Sequence, residues 1–306
     1  MRAHTGHAKR LAVLILALAF CAAAAGETVV YTRNEWNYVS DSMDISGGIP
    51  ADAQGRLAQI REKGVLRVVT EPYYPPQEFI DPSLSGQERF VGADMELARL
   101  IAQRMGVELE IVPRDFSDVL DTIAEGQYDL AISGLSFTSG RAARMEMSKG
   151  YHYTSEGVSS GVIIRSADAE AIRTEDDLNG RDIVAQSGSL QETMAAENIT
   201  DYRQFRRLNL VQDVYDAVAE GSADAGVVDV ENALIYIAAN PDCGLSLAPE
   251  ISFTLEPQYE GDRVAGPRGE TQLMAFVNGV IDEVLESGQY ERWYDEYTAY
   301  AERIGQ

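Results

Sequence analysis

The chain has 306 residues, enough for one large domain or for two ordinary lobes with their own cores. It carries 49 acidic against 25 basic residues, a formal net charge of −24, which disfavours nucleic acid and anionic membrane surfaces as partners. Three histidines and two cysteines, Cys21 and Cys243, fall short of a His/Cys metal site and leave no internal disulfide once a leader holding Cys21 is removed.

A basic start from Arg2 to Arg10, an apolar run from Leu11 to Phe20 and small residues from Cys21 to Gly26 follow the order of a secretory signal peptide. The run is shorter than the ~20 residues a membrane span needs. Ala23-Ala24-Ala25 offers a small-x-small cleavage pattern, so the exported chain is expected to begin near Gly26, in the periplasm. Cys21 also admits a reading as a lipidated cysteine, which the bulky Phe20 before it opposes. Residues 26–53 have no clear period and contain the breaker Gly47-Gly48-Ile49-Pro50; an irregular extension is expected, with Trp36 and Tyr38 pinning it to the body.

From Gln54 to Lys63 the spacing predicts a helix that stops at Gly64, followed by a strand over Val65 to Val69. Ala93 to Met105 repeats the helix, with Leu97, Leu100, Ile101 and Met105 three and four apart, and Gly106 ends it before a strand from Val107 to Val112. A helix over Phe116 to Glu125 and a strand over Tyr128 to Ile132 continue the alternation. The texture changes near Tyr153 to Gly157. Strands are then expected at Val158 to Ile164, Asp182 to Ala185, Tyr202 to Arg206 and Ala225 to Val228, with helices at Ser189 to Asn198, Leu210 to Glu220 and Val230 to Ala239. After an extended stretch from Leu247 to Glu256 come one strand, Arg263 to Ala265, and two helices, Thr271 to Glu286 and Tyr290 to Glu302.

This alternation predicts an α/β chain with mainly parallel sheets flanked by helices. A helical tail after a returning strand suggests that the carboxyl end completes the first lobe. The expected division is a signal peptide over 1–25, an extension over 26–53, a first lobe from 54–154 and 256–306, and a second from 158–252, with two chain crossings forming a hinge.

A series of short motifs runs in order along the chain: Gly64-Val65-Leu66-Arg67-Val68, Tyr74-Pro75-Pro76, Gly92-Ala93-Asp94-Met95-Glu96-Leu97-Ala98, Tyr128-Asp129-Leu130-Ala131-Ile132-Ser133-Gly134-Leu135-Ser136-Phe137-Thr138 with Arg141, Asp177-Leu178-Asn179-Gly180, Gly221-Ser222-Ala223-Asp224-Ala225-Gly226-Val227-Val228-Asp229, and Gly288-Gln289-Tyr290. In that order and spacing the chain resembles the amino-acid-type periplasmic solute-binding proteins of bacterial ABC transporters, over about Gly64 to Tyr297. The resemblance implies a two-lobed periplasmic binding fold that takes a small amino-acid-like ligand to a permease in the inner membrane, as a monomer without a cofactor.

An amino acid presents a carboxylate, an ammonium and a variable side chain, so its receptor needs a donor fork, an acid and a tunable wall. Arg141 supplies a planar fork suited to a carboxylate, and Ser136 follows a strand end where hydroxyl and backbone N–H groups add donors. Taken alone they read equally as a surface arginine and a capping serine; the resemblance implies that they hold the ligand carboxylate. Asp229 reads as an N-cap, and the resemblance gives it the ammonium. Ser189 is expected to add its hydroxyl from the second lobe, although Leu190 stands where relatives place a second hydroxyl. Tyr74 and Phe116 occupy positions where relatives sandwich the ligand side chain, and Glu71 lies near its far end, where it favours a cationic or polar group. Gln77 replaces an aromatic that relatives often carry there.

Two rivals share the scaffold. One is an exported dehydratase acting on prephenate-like or arogenate-like acids, with Glu192 as general acid; Glu192 also reads as a first-turn glutamate favoured by the helix dipole. The other is a sensing module for a separate membrane partner, with the 26–53 extension as docking arm.

Overall fold

The computed structural model describes residues 30–153, 158–254 and 261–305; the predicted leader and both predicted chain crossings, 154–157 and 255–260, lie outside the described residues. In chain order the first half contains α1 (Gly55–Lys63), β1 (Val65–Thr70), β2 (Tyr73–Tyr74), β3 (Glu78–Ile80), β4 (Phe90–Val91), α2 (Ala93–Met105), β5 (Glu108–Pro113), α3 (Phe116–Ala124), β6 (Leu130–Ala131), α4 (Ser139–Arg144) and β7 (Met145–His152). There follow β8 (Val158–Arg165), β9 (Asp182–Gln186), α5 (Leu190–Asn198), β10 (Gln204–Leu208), α6 (Val211–Ala219), β11 (Ala225–Asp229), α7 (Val230–Ala239) and β12 (Leu245–Thr254). The chain then makes β13 (Asp262–Pro267), α8 (Thr271–Ser287) and α9 (Gln289–Ile304).

Two five-stranded sheets result, β5-β1-β6-β13-β7 and β10-β9-β11-β8-β12, besides a small sheet β2-β3-β4. Both are mixed. In the first, β5, β1 and β6 run parallel while β13 is antiparallel to β6 and β7. In the second, β10, β9 and β11 run parallel while β8 is antiparallel to β11 and β12. The parallel triplet of each sheet comes from strand-helix alternation; one strand in each sheet, β13 in the first and β8 in the second, runs against all the others.

Side chains alternating along each strand feed separate cores. Leu66 and Val68 of β1 face one, with Ile101 and Phe276, while Val69 faces another with Val119 and Met147. In the second lobe Ile183 and Ala185 lie on one face and Val184 on the other. Both sheets are thus covered on both sides, as βαβ crossovers require. The glycine stops behave as their sequence predicts: Gly64 and Gly106 take φ of 69° and 71°, the left-handed conformation a helix C-cap favours.

The stretch before α1 is irregular and lies along β7 and α8. The Val39 N–H donates to Met147 O (3.0 Å), and the Met43 N–H to Ala275 O (2.8 Å). Buried Asn278 donates from Nδ2 to the carbonyls of Val39 (2.8 Å) and Asp41 (2.9 Å), and Arg33 forms an ion pair with buried Glu146. A Cβ on Gly279 would meet Met43 O at 2.4 Å, so only glycine admits the arm so close to α8. This cover occupies the outer edge of the first sheet, where unpaired strand groups would otherwise face water. Tyr38 does hold the arm down, edge-on to Phe137 at 5.7 Å and under the Arg263 guanidinium at 4.2 Å. Trp36 does not: it is 45% exposed, because the turn at residues 34–38 directs it outward.

Candidate functional site

Parallel strands of an α/β sheet present their carboxyl ends to a ligand crevice, and here the ends of both sheets meet at one cavity. Glu71 follows β1, Ser133 and Ser136 follow β6, Gln186 ends β9 and Asp229 ends β11. β13 runs the opposite way and therefore brings its first residue, Asp262, to the same rim, in register with His152 at the end of β7. The cavity contains about 810 Å³ of empty space, its open mouth included. Tyr74, Phe116, Arg141 and Ser189 complete its wall, so all seven residues selected from the sequence, Glu71, Ser136 and Asp229 among them, line this one space.

Arg141 lies in α4, whose start is capped by Thr138 Oγ1 accepting the Arg141 N–H at 3.0 Å. Its guanidinium donates to Ser136 O (2.7 Å) and, across to the other lobe, to Gly188 O (3.0 Å), over the Phe116 ring at 5.4 Å. Among the described residues it has no carboxylate partner. Burial lowers its pKa to about 10, against the pull of the Asp262 charge, so it remains a cation at neutral pH. A buried guanidinium held only by neutral carbonyls is a strong attractor for an added carboxylate.

Asp229 caps α7 by accepting the Asn232 N–H at 2.9 Å. Burial pushes its carboxyl up to about 6, while the Asn232 N–H and the Tyr74 hydroxyl hold it down. Ser189 caps α5, accepting the Glu192 N–H at 2.9 Å, and gives its own proton to Gln186 O at 2.7 Å. With its one proton committed, that hydroxyl offers the cavity a lone pair and not the donor expected of it. Ser136 contributes through its backbone, its carbonyl engaged by Arg141 and its chain bridged to Asp262.

Glu71 is 1% exposed and accepts a bond from Gln186 Nε2 across the lobes at 2.9 Å. Burial raises its pKa to about 8, with Gln186 opposing the rise. Glu78, which receives Ser133 Oγ at 2.9 Å, is likewise pushed well above the carboxylate range by burial. In both cases burial favours the protonated form over the charged one.

Glu78, Asp262, His152 and Glu231 also line the cavity and were not singled out from the sequence, whereas Gln77, noted there in place of an aromatic, lines it too. His152 stacks on Tyr294 at 4.3 Å, with Nδ1 at 3.2 Å from Glu291 and Nε2 at 3.8 Å from Glu231. Burial lowers its pKa, but the two carboxylates outweigh this and raise it to about 10. It is a structural imidazolium that joins α9 to α7, and Tyr294 adds a hydroxyl bond to Glu231 at 2.8 Å. No described group of three or more His, Cys, Asp or Glu residues could hold a metal ion, and no helix among the described residues is long and apolar enough to cross a membrane.

Residues 66–300 match the bacterial extracellular solute-binding proteins, family 3. The chain is 25% identical over 234 residues to the arginine-binding extracellular protein ArtP of Bacillus subtilis, covering 76% of this chain and 86% of that one. It is also 25% identical over 190 residues to a cyclohexadienyl dehydratase of Pseudomonas aeruginosa, covering 62% and 68% respectively. Among solved structures, the amino acid ABC transporter substrate-binding protein AbpA from Streptococcus pneumoniae, bound to L-arginine, superposes with a TM-score of 0.71 at 28% identity over 81% of this chain and 98% of that one.

Proposed function

Because the chain belongs to the bacterial extracellular solute-binding proteins, family 3, we propose that it captures an α-amino acid between its lobes outside the cytoplasm and delivers it to an ABC importer. The observation that carries this reading is a buried guanidinium, Arg141, that has no carboxylate partner among the described residues and shares a cavity with a carboxylate, Asp229, that arrives from the other sheet. A ligand carboxylate at the first and an ammonium at the second would tie the two lobes together. Such a ligand favours closure by its differential affinity for the closed and open arrangements, and the transporter reads the closed shape. Tyr74 and Phe116 flank the variable side chain, and the buried Glu71 suits a cationic or polar tip, in keeping with the arginine ligand of AbpA.

The same site reads as a binder and not an enzyme. Glu192, the acid a dehydratase would need, pairs with Arg207 and accepts the Gly188 N–H at 2.7 Å, and it does not line the cavity. Thermal melting of the exported chain against the set of L-amino acids tests the reading. A true ligand at a hundred times its Kd adds about 2.7 kcal/mol to stability; failure of every amino acid to raise the melting temperature would refute it. Turnover of prephenate or arogenate to an aromatic product would establish the enzyme instead.

A further inference from the structure

Resting on that capture reading, we infer that Asp262 is a second ligand-binding carboxylate, paired with Asp229 so that one ligand ammonium is gripped from both sheets at once. The topology supplies the position. Because β13 is antiparallel to its neighbours, Asp262 stands at the rim where the parallel strands end, its backbone bridged to Ser136, in the same cavity wall as Asp229 of the opposite sheet.

Hydrogen bonding separates Asp262 from the other acids nearby. Asp94, completely buried, accepts from the Gly134 N–H (2.9 Å), the Tyr151 hydroxyl (2.9 Å) and the Tyr290 hydroxyl (2.6 Å). Glu231 accepts from the Tyr294 hydroxyl and lies 3.8 Å from His152 Nε2, and Glu71 accepts from Gln186. Among the described residues a donor to Asp262 is the amide of Gln77, itself 6% exposed, whose amide oxygen has no partner among those residues. Asp262 is half-buried at the cavity wall, and among the described residues it does not have the set of donors that Asp94 has. Burial raises its pKa to about 7, with His152 opposing and Asp94 and Asp229 adding to the rise. A ligand ammonium supplies the missing donors. With the ligand carboxylate on Arg141, the ammonium then has acceptors on two sides, and a group that cannot donate three bonds or carry positive charge is rejected.

The test compares Asp262→Asn with the parent by calorimetry, using L-arginine and L-glutamine as probes beside their α-hydroxy acid counterparts, in which a hydroxyl replaces the α-ammonium. Affinity of the variant for the amino acids is expected to fall about tenfold or more, while its affinity for the hydroxy acids changes less than about twofold. Melting of the ligand-free variant at pH 8 is expected to match or exceed the parent, since a half-buried charge has been removed. Equal losses on amino and hydroxy acids, or no loss on either, overturn the inference. Asp262→Ser repeats the comparison without the amide; loss of the fold in both variants also overturns it, by assigning Asp262 to structure. A parent that binds neither probe refutes capture of these amino acids and this inference with it, whereas a parent that binds and an indifferent variant refute the inference alone.

Discussion

The two sheets face their common cavity with side chains in different states of engagement. From the second come groups already used by the helices they start: Asp229 caps α7, and Ser189 caps α5 while bonding back to Gln186. From the first come Arg141, held by two carbonyls, and Asp262, whose side chain is reached by the Gln77 amide. The second wall's polar groups are engaged by their own backbone, whereas in the first Arg141 has no carboxylate partner among the described residues. Ligand binding energy should therefore concentrate in the first lobe, and the second should contribute mainly geometry.

The sharpest break of that contrast is Arg141→Ala, expected to weaken binding of the best amino acid about a hundredfold or more, because truncating a buried charge partner costs roughly 2–5 kcal/mol; unchanged affinity in calorimetry would remove the basis of the site. Asp229→Asn comes next. Asparagine caps helices as well as aspartate, so affinity should fall about tenfold with an unaltered melting temperature, and a large loss of stability would mean that its role is the cap. The third prediction concerns pH. The folded pKa of Glu71 stands above its ordinary value, at about 8 against 4.5, so its contribution to stability is complete below about pH 4.5 and is lost as pH rises to about 8. The slope is at most about 1.4 kcal/mol per pH unit. Urea unfolding of ligand-free Glu71→Gln should therefore show a gain over the parent at pH 8 relative to pH 5; equal differences at the two values would contradict the burial of that charge. The smallest effect is expected for Ser189→Ala, which loses a cap worth about 1 kcal/mol and alters affinity by less than about threefold, measured by melting and calorimetry together.

Most helices could be read directly, since glycine stops at Gly64, Gly106 and Gly288 frame apolar faces of regular spacing. The strand at Met145–His152 could not. Its successive residues Met145, Glu146, Met147 and Ser148 are all buried, because the arm and α8 cover its flank, and this removes the alternation that marks a half-exposed strand. Tyr202 to Arg206 slid two residues to Gln204–Leu208, since apolar content there does not distinguish strand from approach. Arg141 and Asp229, which both line the cavity, stand out in the sequence because each follows a parallel strand in a motif of fixed order. Asp262 escaped the same logic because attention to carboxyl ends overlooks a strand that runs backwards. An acid opening a strand whose later residues, Val264 to Pro267, are apolar was the available signal.

The arm that seals β7 has a consequence for assembly. Residues 158–254 supply every strand of the second sheet, whereas the first joins β1, β5, β6 and β7 to β13 from beyond residue 261, with the arm and α8 laid along β7. Made from its amino end, the chain can complete the later-encoded lobe while the earlier-encoded one still waits with β6 and β7 parted. Whichever half is synthesised first is thus the last to acquire its finished shape.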